Sequence, residues 1–233
     1  MTTRTALITG ASRGLGRALA TALGDRGWHL VVDARDAGRL GAAVAALAHP
    51  ERVTAVPGDI ADHRHRAALA QAVGPRLDLL VNNASELGPS PLPQLADLRA
   101  DDLLRVLGVN VVAPLALVQA VLPALRTAGG TVVNISSDAA VEAYAGWGGY
   151  GASKAALDQL TAVLAVENPD LRVYAVDPGD MATDMHQAAF PDEDISDRPA
   201  PETVVPALLA LLDGDLPSGR YTAAEMVPAE ASR

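Results

Sequence analysis

The sequence predicts a single α/β domain, residues 1–233, built on a doubly wound parallel sheet of seven strands with helices on both faces. Short runs rich in β-branched residues alternate with longer Ala- and Leu-rich stretches of helical period. Such alternation produces right-handed βαβ units and a sheet that is covered on both faces. With 233 residues, 49% of them hydrophobic, the chain can bury a core of this kind.

The predicted strands are apolar, β-branched runs that lie between turn residues. In chain order they are Thr5–Thr9, Leu30–Ala34, Val53–Val56, Leu77–Asn82, Thr131–Ser136, Arg172–Val176 and Arg220–Thr222.

The predicted helices lie between these strands and carry apolar residues at helical spacing. They are Leu15–Arg26, Ala37–Leu47, His63–Val73, Asp101–Arg126, Tyr150–Val166 and Pro201–Leu212. Pro114 should bend the fourth of them. Two long irregular segments remain, around Pro89–Pro93 and at Asp180–Pro199, and long loops in a compact domain tend to carry function.

Composition excludes several classes of function. The net charge is −10 and the chain has no Lys/Arg-rich run, so it lacks the features of a nucleic-acid or anionic-membrane binder. It contains no cysteine, which excludes disulfides, thiolate zinc sites and a Cys nucleophile, and we expect no metal site. The first ten residues lack the apolar core of a signal peptide, and Val109–Leu125 falls short of a good spanning helix. A cytoplasmic protein is expected.

Tyr150 and Lys154 are the pair on which the functional prediction depends. Lys154 is the only lysine beside 17 arginines, and it stands four residues after one of only four tyrosines. Because residues i and i+4 share one face of a helix, the ammonium is expected close to the phenol. A neighbouring cation lowers the pKa of a phenol from about 10, which would let Tyr150 act as a general acid/base.

A glycine-rich turn, Gly10-Ala11-Ser12-Arg13-Gly14-Leu15-Gly16, follows the first strand and begins a helix. Ligands of open α/β sheets bind beyond the carboxyl ends of the strands. Glycines allow close backbone approach, and the helix N-terminus offers free N–H groups to a pyrophosphate. The turn predicts a dinucleotide site, although its spacing differs from G-x-G-x-x-G and it is not a P-loop.

The same turn also fits the G-x-S-x-G nucleophile elbow of α/β hydrolases, with Ser12 as the nucleophile. Ser12 would then need a later histidine, and only His186 lies in a late loop. The elbow would also follow the first strand, which leaves no earlier strand to supply the second oxyanion donor. The dinucleotide site is therefore the favoured interpretation.

Polar residues also follow the next three strands. Asp33, Arg35 and Asp36 end the second strand, where a carboxylate would bind the ribose of NAD and an arginine the extra phosphate of NADP. Asp59 follows the third strand and would either accept a hydrogen bond from adenine or cap the next helix. The pair Asn82-Asn83 is expected to satisfy backbone groups and to support the cofactor loop.

Ser137 ends the fifth strand, thirteen residues before Tyr150. Two hydroxyls that converge on a carbonyl oxygen would polarise and protonate it. The loop at about 180–199 follows the sixth strand and offers apolar walls, including Met181 and Phe190, to a substrate.

Together these motifs resemble, in order and spacing, those of the short-chain dehydrogenase/reductase family, over about the whole chain. The matching residues are Thr9-Gly10-x3-Gly14-x-Gly16, Asn82-Asn83-Ala84, Asn110, Ser137, Tyr150-x3-Lys154 and Pro178-Gly179-x3-Thr183. The resemblance implies a Rossmann-type fold, NAD or NADP bound in extended form, and hydride transfer between the nicotinamide and a carbonyl carbon.

The resemblance also implies roles for the matched residues. Tyr150 is the implied catalytic acid/base, Ser137 orients the carbonyl, and Lys154 lowers the Tyr150 pKa and holds the nicotinamide ribose. Asn110 is implied to help hold a water that relays protons, and Thr183 to contact the carboxamide. The implied cofactor-binding set is Gly10, Ser12, Arg13, Gly14, Leu15, Gly16, Arg35, Asp59, Ile60, Asn83, Ala84, Tyr150, Lys154, Pro178, Gly179 and Thr183.

Two departures from the family pattern bear on the cofactor. Ser85 stands where members often have glycine, beside the expected nicotinamide ribose. Ala34 occupies the position that carries aspartate in NAD-preferring members, and Arg35 follows it. With Arg13, Arg35 would give an NADP-type pocket of two guanidinium groups, so NADP is expected and NAD is the alternative. The two aspartates that flank Arg35 weaken that preference.

The expected activity is NADPH-dependent reduction of a small-molecule ketone. The alternatives are an NAD-linked alcohol dehydrogenase and a non-catalytic dinucleotide-binding sensor. The helices Asp101–Arg126 and Tyr150–Val166 are apolar on more than one face, and family members commonly pair through them, so a homodimer or homotetramer is expected.

Overall fold

Residues 3–226 are described by the computed structural model, and they form a seven-stranded sheet with helices on both faces. The strands are β1 (Thr5–Ile8), β2 (His29–Ala34), β3 (Val53–Pro57), β4 (Leu79–Asn82), β5 (Thr131–Ile135), β6 (Arg172–Asp177) and β7 (Gly219–Thr222). Neighbouring strands are all parallel, in the order β3-β2-β1-β4-β5-β6-β7. The predicted doubly wound α/β fold is confirmed.

The helices connect these strands and cover both faces of the sheet. They are α1 (Gly14–Asp25), α2 (Ala37–Ala45), α3 (His63–Val73), α4 (Ala100–Leu107), α5 (Ala113–Ala128), α6 (Gly148–Glu167), α7 (Asp184–Ala189), α8 (Val205–Asp213) and α9 (Ala223–Met226). Every predicted element is present, and most ends differ by one or two residues. The last predicted helix differs more, because Pro201–Thr203 forms a 3₁₀ turn before α8 begins.

Alternation along the strands divides the core into two layers. Ile8 and Val32 face the layer that contains α1 and α8, whereas Leu7 and Val31, their neighbours in sequence, face the layer that contains α3 and α5. Successive side chains of a strand point to opposite faces, so a nearly continuous apolar run fills both layers. All four side chains are fully buried.

The predicted helix Asp101–Arg126 is interrupted by a π turn at Gly108–Val112, which separates α4 from α5. Pro114 lies in the first turn of α5, directly after the wider π turn. A proline lacks the N–H that a regular helix would use, and a π turn relieves that constraint. The chain thus changes helix type just before Pro114, a feature that is frequent at functional sites.

The stretch Ala100–Ala128 is long and apolar enough to cross a membrane by length and composition alone. The expectation that Val109–Leu125 falls short of this criterion is wrong. Leu117, Val121 and Leu125 belong to the core layer beneath the sheet, so packing within the fold explains much of the apolar character.

The segment Asp180–Pro199, predicted as irregular, contains the short helix α7. Thr183 precedes it, and its side-chain oxygen accepts a hydrogen bond from the backbone N–H of His186 at 3.2 Å. This N-cap satisfies one of the free donors of the first turn. The cap was not recognised in the sequence because the following turn is too short to show helical periodicity.

Three buried side chains connect the sheet to α6. Asn82 donates to Asn134 at 2.7 Å, and Asn134 donates to the hydroxyl of Thr161 at 2.8 Å. Thr161 in turn donates to the carbonyl of Leu157 on its own helix. Buried polar groups are costly unless paired, so this chain of hydrogen bonds ties β4, β5 and α6 together at fixed distances.

Replacing Asn134 with alanine should lower the free energy of unfolding by roughly 2–4 kcal/mol, because buried groups of Asn82 and Thr161 lose their partner. Urea unfolding measures the change. The control is Thr127→Ala, which removes an exposed hydrogen bond to Pro123 and should cost less than about 0.5 kcal/mol. Equal effects of the two substitutions would contradict the importance of the buried chain.

Candidate active site

A cleft of about 620 Å³ opens at the carboxyl ends of the strands, where the strand order reverses between β1 and β4. Doubly wound sheets bind ligands at this reversal, and the volume suits a small-molecule site. Most of the predicted site residues line it: Gly10, Ser12, Arg13, Gly14, Leu15, Arg35, Asp59, Ile60, Asn83, Ala84, Ser137, Tyr150, Lys154, Pro178, Gly179 and Thr183. Gly16 and Asn110 lie behind the lining.

Gly16 allows α1 to pack directly against the glycine-rich turn. A Cβ atom at this position would lie 2.5 Å from the carbonyl oxygen of Gly10. The Asn83 side chain donates to the carbonyls of Thr9 and Gly10 at 2.9 and 3.2 Å, so the turn and the end of β4 form one unit. Asn83 thus supports the cofactor loop, as the sequence predicts.

The N-terminus of α1 faces the cleft without a side-chain cap from the residues described. Its free N–H groups and the positive end of the helix dipole favour an anion at this point. The turn and the helix therefore fit the pyrophosphate of a dinucleotide.

Asp33 lines the cleft but is almost completely buried. Its carboxylate accepts hydrogen bonds from the Gly10 N–H at 2.8 Å and contacts Nε2 of His65 at 3.0 Å. Asp33 and His65 are both buried. This carboxylate holds the glycine-rich turn, so it does not weaken the arginine site that Arg35 begins.

Arginines surround the end of the cleft beside β2. Arg13, Arg35 and Arg39 line it, and the guanidinium groups of all three are more than half exposed. Arg13 pairs with Asp184 of α7, and Arg39 lies 4.0 Å from the same carboxylate. Arg35 contacts the Glu86 carboxylate at 3.4 Å, and Arg39 contacts that of Asp36 at 3.6 Å, so a phosphate bound here would replace these carboxylates as the partner of the guanidinium groups. Arg39 was missed in the sequence, although its position four residues after Arg35 is the signal that points to it.

Asp59 and Ile60 also line the cleft. The Asp59 carboxylate accepts from the backbone N–H of Ala61 at 2.9 Å, and Asp62 is the residue that caps α3. The expected helix cap at Asp59 is therefore wrong by three residues, because the chain makes one further turn before the helix begins.

Tyr150 lies in the first turn of α6, which approaches the end of β5 closely. A Cβ atom at Gly151 would lie 2.6 Å from the carbonyl oxygen of Ala139, so glycine is required for this approach. The buried Tyr150 side chain lies beside the side chains of Ser85 and Ser137, which lower the pKa of its phenol. The two hydroxyls predicted to converge, those of Ser137 and Tyr150, are therefore brought together.

Burial raises the pKa of Tyr150 above its usual value, and the nearby side chains of Ser85 and Ser137 oppose that rise. The carboxylates of Asp138 and Asp177 raise it further. The expectation that Lys154 lowers this pKa overall is wrong in this structure, because burial has the larger effect. A phenol that keeps its proton at neutral pH is suited to donate it.

Lys154 is only 2% exposed and lies behind the Tyr150 ring. Its Nζ donates to the carbonyl of Ile135 at 2.7 Å and lies 5.4 Å from the centre of the ring. Burial lowers the pKa of Lys154 to about 8, and the carboxylate of Asp158, one helical turn later, opposes that shift. The predicted side-by-side arrangement of ammonium and phenol is present.

Asn110, in the π turn, uses its side chain to hold the loop after β4. Its Oδ1 accepts from the Ser85 hydroxyl at 3.2 Å and from the Glu86 N–H at 2.8 Å. Its Nδ2 donates to the Glu86 carbonyl and to the Ser153 hydroxyl, both at 2.9 Å. Asn110 therefore places Ser85 against Tyr150. The sequence singled out Ser85 only as a departure, because its contact depends on the tertiary fold.

Two other kinds of site were considered from the sequence: a Ser12 nucleophile and a metal site. Within residues 3–226, Ser12 makes no hydrogen bond with a histidine, so the elbow interpretation has no base beside its nucleophile. The same part of the chain has no group of three or more His, Asp or Glu side chains placed to hold a metal ion.

A model of the short chain dehydrogenase family matches residues 4–194. The chain belongs to the short-chain dehydrogenase/reductase family. Within this family, the chain is 38% identical over 175 residues to the short chain dehydrogenase asqE of Emericella nidulans, covering 70% of this chain and 64% of that relative. It is 37% identical over 202 residues to the sepiapterin reductase of Mus musculus, covering 78% of this chain and 76% of the relative.

Among solved structures, this short-chain dehydrogenase is similar to one from Escherichia coli CFT073 in complex with NADPH. The two are 32% identical with a TM-score of 0.86, over 94% of this chain and 96% of the other. The family membership establishes an oxidoreductase with a nicotinamide cofactor.

The buried ammonium gives the enzyme a definite pH dependence. With a pKa of about 8, Lys154 loses its charge as the pH rises through that value, so kcat/KM for the catalysed reaction should fall over the same range. In Lys154→Arg the cation persists at every working pH, so any residual activity should lack this decrease. An unchanged decrease in the arginine variant would show that another group is titrating.

Proposed function

We propose that this enzyme reduces a small-molecule ketone to a secondary alcohol with NADPH. The observation that carries the proposal is the placement of the buried Tyr150 and of Ser137 in the lining of one cleft, with Lys154 behind the Tyr150 ring. Reduction requires a donor that is protonated in the resting enzyme, whereas alcohol oxidation requires phenolate.

Ser137, Tyr150 and Lys154 have different roles in the proposed reduction. Ser137 and Tyr150 place hydroxyl groups where negative charge develops on the carbonyl oxygen, and Tyr150 transfers its proton to that oxygen. Lys154 stabilises the phenolate that remains, through the charge that lies behind the ring. The nicotinamide, when bound, supplies the hydride.

The arginine end of the cleft supports NADP as the cofactor. Arg13, Arg35 and Arg39 offer three guanidinium groups to one phosphate, and Asp33 is bound to Gly10 and His65. The NADPH complex of the similar Escherichia coli dehydrogenase supports the same choice.

The substrate end of the cleft is partly aromatic. Trp147 packs against Tyr150 and Phe190, with ring centres 5.6 and 5.9 Å apart, and Met185 packs in the same cluster. Asp138 and Asp180 also line the cleft. These surroundings favour a neutral or cationic ketone over a large anionic one.

We also propose a cytoplasmic homo-oligomer, either a dimer or a tetramer, without nucleic-acid or membrane partners. Leu104 and Val112, on the α4–α5 segment, are 66% and 56% exposed, and Val166 on α6 is 83% exposed. Apolar side chains on these two neighbouring helices suit a partner surface. A monomer-sized particle in light scattering at micromolar concentration would contradict the oligomer.

Tyr150→Phe tests the catalytic proposal, because it removes the proton donor and keeps the ring. With a panel of ketones and NADPH, followed by nicotinamide absorbance, kcat should fall roughly 10²–10⁴-fold. NADPH binding, measured by fluorescence, should persist. An active wild-type enzyme with an equally active Tyr150→Phe variant would refute the role of the phenol, and NADPH binding without any turnover would favour a sensor.

Arg39→Ala and Arg35→Ala test the cofactor preference. Each removes one charged donor to the extra phosphate, so kcat/KM for NADPH should fall about tenfold or more while the value for NADH changes little. Arg64→Ala is the matched control, since Arg64 is exposed on α3 and does not line the cleft. A wild-type enzyme that prefers NADH would overturn the assignment.

A further inference from the structure

Arg220, on β7, contacts three elements that carry the catalytic residues. Its Nε donates to Asp158 at 2.9 Å, and its Nη2 donates to the carbonyl of Ser137 at 3.0 Å. The same Nη2 lies 3.3 Å from the carboxylate of Asp177. The guanidinium is about three-quarters buried, and both carboxylates are more deeply buried still.

Each of these contacts is to a residue that belongs to the active site or lies beside one of its groups. The Ser137 carbonyl belongs to the residue whose hydroxyl meets Tyr150. Asp158 is one helical turn beyond Lys154 on α6 and opposes the fall in that residue's pKa. Asp177 ends β6, and its other oxygen accepts from the Gly179 N–H at 3.0 Å, which fixes the Pro178-Gly179 turn in the cleft wall.

The geometry requires an arginine. A planar guanidinium presents several N–H donors in fixed directions, so a single side chain can bond a carbonyl and two carboxylates on different elements at once. A lysine keeps the charge but has a compact, flexible head that cannot reproduce this arrangement.

We propose that Arg220 is a positioning residue of the active site. It sets the relative placement of the Ser137 end of β5, the catalytic helix α6 and the Pro178-Gly179 turn. It also neutralises the two carboxylates that lie nearest to this machinery on α6 and β6. The inference rests on the proposed function where it is tested by kcat. NADPH affinity, which depends on the Pro178-Gly179 turn, tests it independently.

The charge of Arg220 should be visible in the titration of Tyr150. The charged groups that act on Tyr150 are Asp138 in the turn after β5, Asp177 at the end of β6, and Lys154 on its own helix. Without the guanidinium, Asp177 is left uncompensated and disfavours the phenolate more strongly.

The experiment compares Arg220→Lys and Arg220→Gln with the control Arg172→Lys. Arg172 is a partly buried arginine on the adjacent strand β6, and it binds the backbone carbonyls of Leu212 and Gly214, away from the cleft. Purified full-length enzymes are compared for kcat on the ketone panel, NADPH affinity by fluorescence, and melting temperature.

Arg220→Lys should lower kcat roughly tenfold to hundredfold, because a misplacement of about 1 Å at a catalytic group has an effect of this size. NADPH affinity should also weaken through the Pro178-Gly179 turn. Arg172→Lys should retain the wild-type kcat and affinity even where its melting temperature falls. In the direction of alcohol oxidation, the rising limb of the pH profile should move to higher pH in Arg220→Gln and stay in place in Arg220→Lys.

Arg220→Lys with wild-type kcat and NADPH affinity would overturn the inference. So would a loss of activity that tracks the melting temperature equally in the Arg220→Lys and Arg172→Lys variants, since this indicates a general structural role. A wild-type enzyme that turns over nothing refutes the proposed function instead. Arg220 is then judged by NADPH affinity, which must weaken in Arg220→Lys and not in Arg172→Lys.

Discussion

The active site depends on the burial of one ammonium group. Lys154 is almost completely removed from water, and its only hydrogen bond to a described residue is to the carbonyl of Ile135. Burying a charge is unfavourable unless it is compensated, so the position of Lys154 constrains everything around it. The end of β5 must supply the carbonyl, α6 must approach that end closely at Gly151, and Asp158 must lie one turn away.

Burial shifts the pKa values of Tyr150 and Lys154 in opposite directions. Burial favours the neutral form of both Tyr150 and Lys154, so the phenol keeps its proton more firmly while the ammonium holds its proton less firmly. The resting phenol is therefore protonated, and the cation is placed to act on the phenolate that forms only when the proton has been transferred. The serine side chains lower the pKa of the phenol, and the carboxylates of Asp138 and Asp177 raise it.

The sequence was sufficient for the fold because the strands and helices carry strong, different periodicities. It was also sufficient to place Tyr150, Lys154 and Ser137 at one cleft, since the i and i+4 spacing and the position at a strand end are local facts. The sequence did not predict the contacts of Ser85, His65 or Arg220, because each of them contacts a residue far away in sequence. It also did not predict that the Asp33 side chain is buried, because tertiary packing determines the direction of that side chain. The helix α7 was too short to leave a periodic signal.

The π turn at Gly108–Val112 has a consequence for insertions and deletions in this chain. A π turn closes i→i+5 hydrogen bonds, so it holds one residue more than an α-helical turn of the same length. Deleting a single residue there would convert it to an α-helical turn and leave Leu117 and Val121 of α5 in the core layer. Asn110 would lose its place behind Ser85, so the extra residue serves the site and not the core.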